Sequence, residues 1–174
     1  LQNIIWPKVE ICNLSKMYYR YKGNVKLTSQ NILECSKGGS VKFDTYFNGF
    51  SIDKWKKYTY VKNVSINLLL QGKFVVSLFS KEKVGYELIK KEFLREKYDF
   101  KEPANITLNF PEHARGMLYF KLEALEDNVK LYSGFYGTNL EKIRPVKIAI
   151  DICTFRREEC IKKNMSFINK HILE

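Results

Sequence analysis

The 174 residues include only four cysteines, four prolines and two histidines. Cys12, Cys35, Cys153 and Cys160 form no C-x-x-C pair, and His113 and His171 stand alone. This spacing argues against structural zinc and points to a reduced, cytoplasmic setting. No apolar run approaches the roughly eighteen residues that a membrane helix needs, and no secretory leader is visible. The Asn-x-Ser/Thr sequons at Asn13, Asn63, Asn105 and Asn164 therefore carry little weight. No serine or cysteine has a recognisable base partner. The acidic pairs Glu126-Asp127 and Glu158-Glu159 read as a turn and a helix amino end. Internal repeats and low-complexity tracts are absent.

What is present is apolar and basic. The chain is 45% hydrophobic and 14% aromatic, too rich for disorder. Its net charge is +11, with 23 Lys and Arg against 15 Asp and Glu in residues 1–143. The excess is spread along the chain and is mostly Lys. With no Arg-rich arm, Cys/His finger or RNP-like motif, it argues against nucleic acid. A diffuse positive field suits an anionic membrane surface or a phosphorylated substrate.

Residues 1–143 read as all-β. Lys16 to Arg20 reads as a short aromatic strand, ended by Lys22-Gly23-Asn24. Ser40 to Phe47 alternates, with Val41, Phe43, Thr45 and Phe47 on one face and Lys42, Asp44 and Tyr46 on the other. Gly38-Gly39 and Asn48-Gly49 bracket it as turns. Val64, Ile66, Leu68 and Leu70 repeat the period, and Gln71-Gly72 reads as a hairpin turn into Phe74, Val76 and Leu78. Val84 to Glu96 contains a helix-like run but is assigned to strand because its neighbours are strands. Asn105 to Phe110, Arg115 to Ala124 and Val129 to Tyr136 complete the set. Regularly spaced short strands predict a sandwich of two antiparallel sheets. Gly137 to Pro145 is a polar linker, which places a boundary between residues 1–143 and 144–174.

The last stretch changes character. Ile148, Ile150 and Ile152 show strand spacing, and Thr154 supplies a hydroxyl that can cap a helix. Glu158 and Glu159 fall in the first turn, where the helix dipole favours negative charge. Ile161, Met165, Ile168 and Ile172 mark one apolar helix face. The result is a strand, a tight turn holding Arg156 and Arg157, and a helix. Such turns bind nucleotides and phosphates in open α/β sheets. About thirty residues are too few for a domain, and Leu1 is not Met, so the chain is expected to be a fragment of a longer protein. The apolar helix face then needs a cover, either the sandwich or a second copy of the chain in a homo-oligomer.

Ile150-Asp-Ile-Cys-Thr-Phe-Arg-Arg-Glu158 resembles the opening strand and turn of family 2 glycosyltransferases of the GT-A type, whose pattern runs apolar residues, Thr, an aromatic, any residue, Arg. The resemblance implies that Thr154, Phe155 and Arg157 line the pocket for the nucleotide of a UDP-sugar donor. Arg156 stands where Asn is more usual and is a further candidate. Tyr18-Tyr-Arg20, Phe43-Asp-Thr-Tyr-Phe-Asn-Gly-Phe50, Trp55 and Tyr58-Thr59 resemble the amino-terminal sandwich of the polymerising galactofuranosyltransferases, as do Gly116 to Phe120 and Ser133 to Tyr136.

Together these resemblances imply a mainly β chain: an antiparallel β-sandwich, jelly-roll-like, followed by the truncated β-α start of a GT-A α/β domain. The complete enzyme is then expected to pass a sugar, galactofuranose, from a UDP-sugar to a growing glycan or lipid-linked glycan acceptor. It would be cytoplasmic and peripheral at the inner membrane face. The family also implies Mg or Mn on an Asp-x-Asp-like cluster and a later acidic general base. No Asp-x-Asp occurs here. The expected metal ligands and catalytic residues therefore lie outside this chain, which alone is expected to be inactive.

A second function class stays open beside the enzyme. Tyr46, Phe47, Phe50, Trp55 and Tyr58 crowd near Asn48, Asp44 and Asp53. Sugar rings offer C–H faces and hydroxyls, which aromatic platforms and side-chain amides match. Tyr46, Trp55 and Asn48 are thus candidate saccharide contacts, although aromatics in a small sandwich more often serve core or domain-interface packing and Asn-Gly a turn. The alternative reading is a non-catalytic carbohydrate-binding or assembly module of sandwich type.

Overall fold

A single long hairpin carries the architecture. In the computed structural model, which describes residues 1–141, 143 and 158–171, ten strands form one antiparallel sheet that folds over as a nearly closed sandwich. The early strands are short: β1 (Gln2–Asn3), β2 (Arg20–Lys22), β3 (Val25–Leu27), β4 (Leu33–Cys35), β5 (Ser40–Lys42) and β6 (Phe50–Ser51). Helix α1 (Ile52–Tyr58) follows, then the long strands β7 (Ser65–Val84) and β8 (Glu87–Asn109). Strands β9 (Met117–Ala124) and β10 (Val129–Gly137) close the sandwich, and α2 spans Glu158–His171.

β8 pairs with one edge of β7 along its whole length. On the other edge, residues 65–71 pair with β10 and residues 74–81 with β9. Strand β10 leads on to β4 and β3, and β9 to β5 and β2. Each half of β7 therefore belongs to a different layer, and the strand changes layer near Gly72.

Gln71-Gly72 is accordingly a pivot inside a continuous strand, not the expected hairpin turn. Gly72 has φ +98, and the ladder to β8 slips between Leu70↔Ala104 and Gly72↔Phe100. Pro103 falls in the resulting bulge, where no ladder donor is required. The ladder to β10 slips between Leu131 and Ser133. The Gln71 amide lies between the two irregularities: its Nε2 donates to Lys101 O at 2.9 Å, and its Oε1 accepts from Tyr132 OH at 2.5 Å.

Two local expectations change, and one helix is added. Residues 15–17 form a 3₁₀ turn, and the neighbouring strand starts only at Arg20, since Tyr18 and Tyr19 turn inward to the core. The strand expected over 40–47 ends at Lys42. Beyond it Thr45 Oγ1 donates to Tyr18 O at 2.7 Å and Gly49 N to Thr45 O at 2.9 Å, so the chain coils over one end of the core. Helix α1 was not read from the sequence. Its signals are modest: Asp53 in the first turn, with Lys56 and Lys57 in the last.

The even residues of β7 face the core, and Ile66, Leu68, Leu70, Phe74, Val76 and Leu78 are all buried. Phe43 stacks on Phe120 at 4.3 Å, and Phe50 on Tyr136 at 4.9 Å. Cys35 sits at 1% exposure, opposite Val129 in the ladder. Burial pushes its thiol up to about 12 from 9.0. The unfolded chain releases this proton first, so the burial contributes fully below about pH 9 and is lost as pH rises through about 12. Stability is expected to fall over that window in alkaline denaturation. Alkylation at neutral pH should mark exposed Cys160 at once and reach Cys35 only on unfolding.

Candidate functional site

The structure places the expected saccharide contacts apart in role. Asn48 is wholly buried: its Oδ1 accepts from Ile5 N at 2.9 Å, and its Nδ2 donates to Ile5 O and Tyr18 O, each at 2.8 Å. Those bonds pin the amino-terminal segment to the sandwich. Trp55 is half-buried and stacks on Phe50 at 5.7 Å. Tyr46 is 79% exposed, with its ring edge against Phe47. Thr154, Phe155, Arg156 and Arg157 lie outside the described residues, as does the expected strand over 148–152. The helix expected after them is present as α2.

A different surface gathers polar groups. Strands β10, β7 and β8 lie side by side, and over residues 133–137, 65–69 and 105–109 the odd-numbered residues face away from the core. Phe135, Asn67 and Thr107 stand in one row, and Gly137, Ser65 and Asn109 in the next. Together with Asn63, Thr138 and Asn139 they line a cleft of about 530 Å³. Strand alternation explains the placement: Ile66, Ile106, Leu108 and Tyr136 turn inward, so their neighbours turn out.

The chemistry of this cleft is neutral. In a chain of net charge +11, no ionisable side chain among the described residues lines it. Thr107 Oγ1 donates to Asn67 Oδ1 at 2.6 Å, and Asn67 Nδ2 donates to Ser65 Oγ at 3.3 Å. This chain of bonds sets the Asn67 amide and leaves it one further donor hydrogen. Thr138 Oγ1 is buried and has no hydrogen-bond partner among the described residues, the kind of orphan a ligand hydroxyl satisfies. Phe135 offers an aromatic ring that is 47% exposed. A Cβ on Gly137 would meet Asn67 Nδ2 at 3.2 Å and the Phe135 ring at 3.4 Å, so glycine keeps the floor open between amide and ring. An exposed ring beside amides and hydroxyls, with no charge, fits an uncharged polyhydroxyl ligand.

This cleft was not singled out from sequence. Asn63, Ser65, Asn67, Thr107 and Asn109 alternate with core residues, and two of them lie about forty residues from the others in the chain. Only the β7–β8 register unites them.

Among the described residues, no three of His, Cys, Asp and Glu come together to hold a cation. These residues therefore do not fit the divalent metal that the family resemblance implies. No helix among them is long and apolar enough to cross a membrane.

Solved structures match this chain at low identity and low TM-score. One is a family GH115 4-O-methyl-α-glucuronidase with specificity for decorated arabinogalactans: 14% identity, TM-score 0.40, covering 67% of this chain. A family two carbohydrate esterase from Cellvibrio japonicus gives 11%, 0.37 and 76%. The N-terminal endo-1,4-β-D-xylanase 10B of Clostridium thermocellum, complexed with xylohexaose, gives 8%, 0.45 and 84%. This chain spans 16%, 33% and 30% of their respective lengths. No curated protein matches the chain. A family model described as Galactofuranosyltransferase 2 N-terminal matches residues 1–138.

Proposed function

The chain belongs to the galactofuranosyltransferase 2 N-terminal family, and from that premise we propose that it is the amino-terminal part of an enzyme passing galactofuranose from a UDP-sugar to a growing glycan. In this reading the sandwich contributes binding and the transfer chemistry resides in chain beyond it. Thr154, Phe155 and Arg157 would contact the donor nucleotide, with Arg156 a further candidate. Mg or Mn would be held outside this chain. The acceptor would be a glycan or lipid-linked glycan.

The observation that carries a role for the sandwich is the uncharged cleft of Phe135, Asn67, Thr107 and Asn109. Its amides and hydroxyls suit sugar hydroxyls, and its ring suits a C–H face. Held there, an acceptor glycan gains a second point of attachment, which raises its effective concentration at a distant reaction centre. The same observation favours a second reading, a carbohydrate-binding module with no part in turnover.

Calorimetric titration of the chain with galactofuranose oligosaccharides tests the cleft. Binding is expected in the native chain, with Phe135→Ala weakening it about tenfold, the worth of roughly half-burying an aromatic side chain. Trp55→Ala is the control and should matter little. The absence of heat with any galactan-type oligosaccharide would remove the cleft from the proposal. Turnover assays divide the two readings: the 174-residue chain should not consume UDP-galactofuranose, and in the complete protein Phe135→Ala should raise the KM for long acceptors if the cleft serves transfer.

A further inference from the structure

Residues 83–92 are all exposed, although β7 and β8 stay paired up to Val84↔Glu87 around the Gly85-Tyr86 turn. Strand β9 leaves the other edge of β7 at Lys81↔Met117. Beyond that point the hairpin is, among the described residues, a two-stranded ribbon, a form that is marginal in water on its own. Its end carries Val84, Tyr86, Leu88 and Ile89, between 48% and 104% exposed.

Directly paired residues share a face of a ribbon. Leu88 therefore lies on the face of Lys83 and Ile89 on the face of Glu82, with Tyr86 at the turn. The apolar side chains occupy both faces and the tip. A groove on a protein would cover one face; a medium that surrounds the tip covers all of them.

Charge supplies a second observation. Lys81 and Lys90 stand opposite each other, a like-charge pair that costs stability. Lys90 also lines a cleft of about 340 Å³ with Arg20, Lys22, Lys42 and Lys121. Register sets Arg20, Lys42 and Lys121 in a row across β2, β5 and β9. Arg20 is paired with buried Asp44 at 3.6 Å and Lys121 with Glu123 at 2.7 Å. Lys22, Lys42 and Lys90 have no ion-pair partner among the described residues.

We propose that the β7–β8 tip and the adjoining basic cleft dock this protein on an anionic lipid bilayer. Val84, Tyr86, Leu88 and Ile89 enter the interfacial layer, where the amphipathic ring of a tyrosine is at home. Lys22, Lys42 and Lys90 then meet lipid phosphates. Charge and apolar area act together, because either one alone holds a peripheral protein only weakly. This docking is independent of the saccharide reading and uses the opposite end of the β7–β8 hairpin.

Cosedimentation of the 174-residue chain with vesicles of phosphatidylcholine, with and without phosphatidylglycerol, tests it. Binding is expected only with the anionic lipid and should weaken with added salt. Lys22→Glu with Lys42→Glu should weaken it at least fivefold for each lysine. Tyr86→Ser with Leu88→Ser should weaken it more than tenfold while leaving the far-ultraviolet spectrum unchanged. Tyr86→Trp gives a direct readout: its emission should shift to the blue with anionic vesicles and stay put with neutral ones. Equal binding to neutral vesicles, an unshifted Trp signal or an unaffected tip variant would overturn the proposal. So would a native dimer that the tip variant converts to monomer, which would make the tip a contact between copies.

Discussion

Gly72→Ala is expected to lower the melting temperature of this chain by about 6–12 °C, a loss of roughly 3 kcal/mol at about 2–4 °C per kcal/mol. Two costs combine. The φ of +98 lies where an L side chain meets its own backbone. The added Cβ would also stand 3.1 Å from Val129 Cα and 3.1 Å from Val129 Cγ2. Val129 is wholly buried in β10 and paired with Cys35, so it cannot yield cheaply. Gly85→Ala is the matched control. Gly85 has φ +60 in the exposed turn, and nothing lies within 4 Å of its added Cβ. Its cost should stay near 1 kcal/mol, that of the left-handed conformation alone. Thermal unfolding followed by circular dichroism reads both variants. Equal losses would mean that the pivot is not a tight crossing, and the layer change of β7 would have to lie elsewhere.

Asn48→Ala is expected to cost about 3–4 kcal/mol, since it strips three buried bonds at the junction of the amino-terminal segment and the core. Tyr18 O keeps the Thr45 hydroxyl at 2.7 Å. Ile5 N and Ile5 O lose the amide altogether, and each unsatisfied group carries its own desolvation cost. Asn48→Asp preserves the shape but replaces the donor with an oxygen facing two carbonyls, so it should not rescue the variant. The chemical midpoint in urea measures the loss. Saccharide affinity per folded molecule should be unchanged in the alanine variant. A stable variant with weakened glycan binding would instead return Asn48 to the ligand contacts.

These expectations show where local pattern suffices. The period-two runs of β7, β9 and β10 identify strands and their inner faces, because burial on one side of a pleat leaves an alternating trace in the chain. The acidic first turn and the apolar spacing of residues 158–171 likewise announce a helix. The run Phe43 to Phe50 resembles the same galactofuranosyltransferase amino-terminal domain that the family match identifies over 1–138.

Gln71-Gly72 marks the limit of local reading. A two-residue hairpin there would pair Leu70 with Lys73 and turn Phe74 to the opposite face from Leu70. Continued alternation across the dipeptide keeps Leu70 and Phe74 on one face, and both are in fact buried. Local turn chemistry therefore competed with long-range register, and register won because β9 and β10 claim different halves of the same strand edge. Asn48 shows the same limit. In sequence an Asn-Gly pair is a turn, whereas three bonds to residues about thirty and forty-three positions away make it an internal clamp.

By itself, then, the chain determined strand identity, inner faces, the β class and the family likeness, since each is written in near-neighbour periodicity or contiguous motif. Tertiary structure alone decided which outward residues become neighbours. Asn67, Thr107 and Phe135 meet because three strands align in register. Lys90 meets Lys22 and Lys42 because the long hairpin passes beside β2 and β5. Outward-facing side chains bear no mutual trace in sequence: solvent accepts any polar residue at such positions, and only the ladder of hydrogen bonds between distant strands specifies which of them share a surface.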